Sequence, residues 1–224
     1  MKANIENTLI VIPVYNNARY ITKLYQKINN IYQNAHLLFI NDGSTDRSLE
    51  IMQILALNVL DLKKNKGKGF ALKTGFEYAK TNKFQYVITM DSDLQHDPNY
   101  LPNFFITQNV ENADLVIGFR DFSFQNMPFA RVFSNAITSS IVSYKTGVEI
   151  MDSQSGYRLY NLDYYDKRNI ITDKYQMETE ILLSYIKQKA LIAHTEIPVI
   201  YGEENSNISH LRDILNFIKI IIGK

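Results

Sequence analysis

Tyr86-Val87-Ile88-Thr89-Met90-Asp91-Ser92-Asp93 is the stretch from which the fold is read. Its first five residues are apolar or β-branched at successive positions, so both faces of the segment are greasy. A run of that length and type suits a strand buried inside a parallel sheet. It then breaks into two carboxylates one residue apart. The same plan recurs on either side. Leu9-Ile10-Val11-Ile12 is closed by Pro13, Leu37-Leu38-Phe39-Ile40 by Asn41-Asp42-Gly43, Val59-Leu60-Asp61-Leu62 is a weaker version, and Leu115-Val116-Ile117-Gly118-Phe119 runs into Arg120.

Helix-length segments separate these runs. Ala18–Asn30 brings Ile21, Leu24, Tyr25 and Ile28 to one face. Ser44-Thr45-Asp46 supplies cap residues for a helix reaching about Leu55, and Gly69–Lys80 and Asn99–Glu111 read as further helices. Alternation of strand and helix predicts an α/β fold, a doubly wound, Rossmann-like, mostly parallel sheet with helices on both faces. Ligands of such sheets bind beyond the carboxyl ends of the strands, where the polar clusters of this sequence fall. The second half reads as a helix over Pro128–Lys145, a loop and candidate strand over Asp152–Tyr160, a helix over Met177–Lys189, a strand over Leu191–Val199, a polar loop over Gly202–Ser209 and a terminal helix over Asp213–Ile222. No linker or repeat interrupts the chain, so 1–224 is expected to be one domain.

Composition narrows the function. At 224 residues the chain is long enough to bury about 70% of its unfolded surface in one core. Lys and Arg total 24 against 23 Asp and Glu, which leaves no global pull on nucleic acid. The absence of cysteine excludes a disulfide scaffold, thiolate metal sites and cysteine catalysis, and fits a reducing cytosol. The N-terminal residues lack the apolar run of a signal peptide. The longest apolar stretch, Ile214–Ile222, is far short of the roughly 20 residues of a membrane span.

Asp91 and Asp93 at a strand end can reach one divalent cation if the backbone turns there, and hard oxygen ligands suit Mg²⁺ or Mn²⁺ together with substrate phosphates. The alternative is a solvated turn. An EF-hand does not fit, because the sixth position would be His96 where glycine is needed and the twelfth Pro102 where glutamate is needed. Asn41-Asp42-Gly43-Ser44-Thr45-Asp46 either places a carboxylate for a base or ribose or serves as a well-capped strand-to-helix turn. Asn65-Lys66-Gly67-Lys68-Gly69 either approaches a phosphate or is a plain turn into a helix; it is neither a Walker A loop nor a full G-x-G-x-x-G.

Taken in order, Pro13-Val14-Tyr15-Asn16, Asn41 to Asp46, Asn65 to Gly69, Asp91-Ser92-Asp93-Leu94-Gln95, Gly118-Phe119-Arg120, Asp152-Ser153-Gln154-Ser155-Gly156-Tyr157-Arg158 and Tyr175 to Glu180 resemble the family 2 inverting glycosyltransferases of GT-A fold. Within that family the strings from Asp91 to Pro98 and from Asp152 to Arg158 are similar to those of polyprenyl- and dolichol-phosphate hexose synthases. The resemblance implies a nucleotide-diphosphate sugar as donor, Mg²⁺ or Mn²⁺ as cofactor, and a polyprenyl-phosphate or other lipid-linked acceptor, with a hydroxyl of a cell-surface glycan as the alternative. It implies that Pro13, Tyr15, Asn17, Asn41, Asp42, Lys68, Ser92, Gln95 and Arg120 line the nucleotide-sugar pocket and that Asp91 and Asp93 hold the metal. Arg131, His210 and Arg212 would meet the acceptor. Asp152 is the first expected general base for a hydroxyl acceptor, Glu178 or Glu180 the second, and Arg120 the group that steadies the leaving phosphate.

Two departures stand out. Asn41 replaces a frequent aspartate, and Val199 to Asn207 lacks the basic residues of dolichol-phosphate synthases. Residues 211–224 form an expected amphipathic helix for the transferase core, a protein partner or a membrane surface, which would put the protein in the cytoplasm or on the inner face of the cell membrane. A sugar-nucleotide nucleotidyltransferase is disfavoured because Pro13–Ala18 has neither Gly nor Arg. A catalytically inactive binding module is the remaining rival.

Overall fold

The structure is a computed structural model that describes residues 1–120, 129–170, 172 and 176–200, without the side chains of 129–134 and 176. Its first half follows the strand and helix pattern of the sequence closely. In chain order it runs β1 (Thr8–Val14), α1 (Ala18–Ile31), β2 (His36–Asn41), α2 (Ser48–Ile54), β3 (Val59–Asp61), α3 (Lys68–Thr81), β4 (Tyr86–Thr89), α4 (Leu101–Glu111) and β5 (Leu115–Arg120). The second half adds α5 (Phe129–Thr146), β6 (Arg158–Asn161), α6 (Gln176–Lys187) and β7 (Ile192–Ile197).

The described strands form one sheet in the order β3-β2-β1-β4-β6-β5-β7. Every pairing is parallel except those of β6, which runs antiparallel to both β4 and β5. The candidate strand in Asp152–Tyr160 is therefore inserted between two parallel neighbours. Alternate residues of each strand feed two cores. Leu9, Val11, Leu38, Ile40, Val87 and Ile117 pack with Leu72 and Phe76 of α3, Val142 of α5 and Ile181 of α6. Ile10, Ile12, Phe39, Ile88 and Val116 pack with Ile21 and Leu24 of α1 and Leu101 and Phe104 of α4. Helices thus cover both faces, which is why the strands carry no polar alternation.

One boundary moves. The helix expected to follow the caps at 44–46 begins only at Ser48. Ser44, Thr45 and Asp46 are instead drawn to the loop after β1. Gly43 lets that happen: its φ is +67, and a Cβ there would lie 2.4 Å from the backbone of Lys64 and Asn65.

Candidate active site

The carboxyl ends of β1, β2 and β4 meet in a set of loops clasped by side-chain bonds to backbone amides. The Asn16 side-chain oxygen accepts from the N–H groups of Thr45 at 2.8 Å and Asp46 at 3.3 Å, while the Asn16 N–H donates to Ser44 Oγ at 3.1 Å. Asp46 accepts from the Ala18 N–H at the start of α1 and from the Ser48 N–H at the start of α2. Burial alone would raise the Asp46 carboxyl; the donors of Ser48 and Ala18 outweigh it and bring the group below its ordinary value.

Asn41 and Asp42 sit under this clasp. The Asn41 amide donates to Asp61 Oδ1 at 2.9 Å and accepts from the Ser44 N–H. An aspartate at 41 could not donate to Asp61, so the departure noted in the sequence has a local cause. Asp42 accepts from the N–H of Lys66 at 2.8 Å and of Gly67 at 2.9 Å. It thereby fixes the turn that delivers Lys68, the first residue of α3. Asn17 donates to Ser92 Oγ at 2.6 Å and ties the loop after β1 to the Asp91–Asp93 turn. Pro13 lies half-buried at the end of β1, and Tyr15, 46% exposed, stands at the open rim.

At the end of β4 the Lys68 ammonium lies 2.7 Å from Asp91 Oδ1 and 3.3 Å from Glu178 Oε1. Burial would discharge the lysine, but the two carboxylates hold it protonated. Burial likewise pushes Asp91 up, and the charge of Lys68 more than reverses this, to about 2. Asp93 goes the other way: burial first and the charge of Asp91 second raise it to about 6. Its two oxygens accept from the N–H and the side-chain amide of Gln95. His96 accepts the Asp91 N–H on Nδ1 at 2.9 Å, and burial lowers it to about 4, so the ring is neutral. Gly156 makes the room for this group. A Cβ there would be 2.8 Å from both Lys68 Nζ and Glu178 Oε1.

The other side of the site is built from the second half. Arg120, the last residue of β5, donates to Asp152 through Nε at 2.7 Å and Nη2 at 3.1 Å. Asp152 is fully buried and also accepts from Asn135 and from the Gln154 N–H. Its oxygens are filled by these donors, so the residue expected to be the base is placed as the anchor of Arg120. Glu180 accepts from both the N–H and the hydroxyl of Thr172. Of the three expected bases, Glu178 has its buried oxygen, Oε1, met among the described residues only by the Lys68 ammonium at 3.3 Å, which it shares with Asp91. Arg158, fully buried, donates to the carbonyls of Ser155, Glu178 and Ser153. It pins the 152–156 loop to α6. The Arg131 side chain, His210, Arg212 and the helix expected at 211–224 lie outside the described residues.

Three carboxylates, those of Asp91, Glu178 and Asp152, therefore pair with two cations, Lys68 and Arg120, and a fourth, Asp93, lies close enough to Asp91 to be raised by its charge. Among the described residues no set of three or more acidic or histidine side chains forms a ready cage. Two carboxylates at a strand end instead fit a hard cation that takes its other ligands from water and phosphate. The site's surplus of negative charge fits the same species. His96, inside the Asp91 to Pro98 string, and Gly156, inside the Asp152 to Arg158 string, have no expected site role from the sequence and are brought to Asp91, Lys68 and Glu178 by the fold.

The family model described as "Glycosyl transferase family 2" matches residues 9–169. The polyprenol monophosphomannose synthase of Mycolicibacterium smegmatis is 24% identical over 216 residues, covering 92% of this chain and 81% of that one. The UDP-N-acetylglucosamine–dolichyl-phosphate N-acetylglucosaminyltransferase of Methanococcus voltae is 26% identical over 216 residues, covering 87% and 86%. Among solved structures, the glucosyl-3-phosphoglycerate synthase of Mycobacterium tuberculosis in complex with Mn²⁺ and UDP-glucose matches with a TM-score of 0.75 at 16% identity, over 96% of this chain and 79% of that one.

Proposed function

The chain belongs to glycosyl transferase family 2 and is a glycosyltransferase, and on that premise we propose that it moves a hexose from a nucleotide-diphosphate sugar to a polyprenyl-phosphate acceptor with inversion. The observation that carries this reading is the pair Asp91 and Asp93 at the end of β4, set between Lys68, Glu178 and the Arg120–Asp152 ion pair. The acceptor class is supported by the two relatives, whose names give different sugars but the same kind of lipid phosphate.

In this reading Asp91 and Asp93 hold Mg²⁺ or Mn²⁺. When bound, the cation neutralises charge developing on the leaving diphosphate. Pro13, Tyr15, Asn17, Asn41, Asp42, Ser92 and Gln95 line the nucleotide-sugar pocket. Lys68 is drawn from Asp91 toward the diphosphate, and Arg120, aimed by Asp152, steadies the same charge or that of the acceptor. A phosphate acceptor is already anionic, so no side chain need take its proton. Arg131, His210 and Arg212 meet the acceptor, and 211–224 rests on the inner face of the cell membrane. Among the described residues no helix is long and apolar enough to cross a membrane.

A hydroxyl of a cell-surface glycan is the second reading. It is favoured by Glu178, whose buried Oε1 has the shared Lys68 ammonium at 3.3 Å and which could take a hydroxyl proton if that lysine turns to the diphosphate. The test is a thermal-shift panel of UDP, GDP, CDP and dTDP, each with Mn²⁺, Mg²⁺ or EDTA, followed by transfer assays on polyprenyl phosphate and on glycan acceptors. A nucleotide at about 100 times its Kd stabilises by about 2.7 kcal/mol, a readily measured shift. A metal-dependent shift followed by transfer to polyprenyl phosphate is expected. Transfer to glycan alone would favour the second reading, and a nucleotide shift with no transfer to either acceptor would favour an inactive binding module.

A further inference from the structure

We propose that His96 is a positioning residue for Asp91: its Nδ1 closes the strand-end turn by accepting the Asp91 amide, and so fixes the direction of the first metal-binding carboxylate. This rests on the assignment of Asp91 and Asp93 to the cation.

The ladder of β4 ends one residue before the site. The Met90 N–H still donates to Val11 of β1, at 3.1 Å. The next amide, that of Asp91, has left the sheet and goes to His96 Nδ1 at 2.9 Å. The chain returns over five residues to make that bond, and it does so through Leu94, a non-glycine residue with φ +64. A backbone in that region persists only where its surroundings hold it. Asp93 holds one part of the turn by accepting twice from Gln95. His96 holds the rest.

The histidine is itself immobilised. Its ring stacks on Tyr157, centroids 4.9 Å apart and planes 20° from parallel. Tyr157 is fully buried and packs on Phe104 of α4 at 4.4 Å. Its carbonyl accepts from the Gly118 N–H of β5, and its phenol donates to the Asp97 carbonyl. The His96 side chain is 11% exposed. Accepting at Nδ1 puts the ring proton on Nε2, which lies 3.8 Å from Asp91 Oδ2, too far for a hydrogen bond. His96 therefore acts on Asp91 through the amide, and its ring transmits the rigidity of the α4 and β6 core to the turn. Groups hydrogen-bonded directly to metal ligands are worth about 10- to 100-fold in metal affinity, which sets the upper scale for a group that orders the ligand through its backbone.

The two features of the ring, acceptor and stacked plane, separate by substitution. His96→Asn keeps an acceptor near the Nδ1 position and loses most of the stack. His96→Phe keeps the plane and loses the acceptor. His96→Gln moves the acceptor to the Nε2 position. The readouts are Mn²⁺ affinity by electron paramagnetic resonance in the presence of UDP or GDP, the melting temperature, and hydrogen-exchange protection of the Asp91 amide in metal-free protein. His96→Phe is expected to melt near the wild type, lose protection at Asp91 and bind Mn²⁺ about 10-fold or more weakly. His96→Gln should follow it. His96→Asn is expected to melt lower yet keep Mn²⁺ affinity within about 3-fold, an inversion that a purely structural role would not give. If His96→Phe keeps both wild-type protection and wild-type affinity, or if folded His96→Asn loses as much affinity as His96→Phe, the positioning role is overturned. Asp91→Asn is the separate control: unchanged Mn²⁺ affinity in that variant would overturn the metal assignment and the proposal with it, whereas the Asp91 amide protection reports on the His96 bond whatever the metal does.

Discussion

On the β1–β4 side of the site, Asn16, Asp42 and Asp46 give their side-chain oxygens to backbone N–H groups of neighbouring loops. On the β5–α6 side, Asp152 and Arg158 are charged side chains fully buried by the fold, and Arg120, partly buried, is paired with Asp152. Both sides hold site groups in place, by different means. Short polar side chains at strand ends preorganise a loop cheaply, because the bonds of Asn16 and Asp46 lie near the surface and replace bonds to water, while the buried Asp42 has both oxygens met by backbone N–H groups. A buried guanidinium or carboxylate is tolerable only while every partner is present, and removing one side leaves a costly orphan. The first side should therefore tolerate substitution with loss of function alone, and the second should lose its fold with its function.

The largest test of that contrast is Arg158→Met. It strips donors from the carbonyls of Ser153, Ser155 and Glu178 at once. An expected loss of about 3–5 kcal/mol in urea denaturation follows from three buried acceptors left without a partner. A loss below about 1 kcal/mol would break the comparison, since the buried charge would then not be what joins the 152–156 loop to α6. The next is Asp91→Asn, on the other side. Transfer should fall about 10²- to 10³-fold, the scale of removing one transition-state charge contact, while the urea midpoint moves far less than for Arg158→Met. Equal damage to stability in the two variants would erase the distinction.

The same contrast explains what could be read from the chain. Every strand of the first half is followed by its helix, and the polar clusters lie at the strand ends, so periodicity places Asn17, Asp42, Asp91 and Asp93 at one edge of the sheet, and the family resemblance adds Lys68 and the pocket roles. The start of α2 was displaced because Ser44, Thr45 and Asp46 hold the loop after β1, a contact across about 30 positions that no local pattern encodes. In the second half, chain order and sheet order part company. β6 enters between β4 and β5, and with it the 152–156 loop arrives under Arg120. That is why the sequence offers Asp152 as a candidate base for a hydroxyl acceptor, whereas in the structure its oxygens accept from Arg120, Asn135 and Gln154. A carboxylate's role depends on who donates to it, and for Asp152 the long-range donors come from β5 and α5, 32 and 17 positions away.

The smallest effect sharpens the comparison most, because it asks whether the first side is held by charge at all. Asp46 is exposed, and its two oxygens reach the starts of α1 and α2. Asp46→Asn leaves one acceptor where there were two and removes the charge at both helix starts. At neutral pH this should cost about 0.5–1 kcal/mol, the low end for a cap because solvent screens the site. The folded-state carboxyl titrates below its ordinary value of 3.8. A group depressed in this way contributes stability above its unfolded pKa and loses it as pH falls through the folded one. The gap between wild type and Asp46→Asn should therefore be constant from neutral pH down to about 4 and close below 3.8 as the wild-type carboxyl takes its proton. Urea midpoints of the two proteins across that range read it directly. A gap that persists to the lowest pH would mean that the shape of the acceptor, not its charge, clasps the loops after β1 and β2, and the first side would then rest on neutral hydrogen bonds throughout.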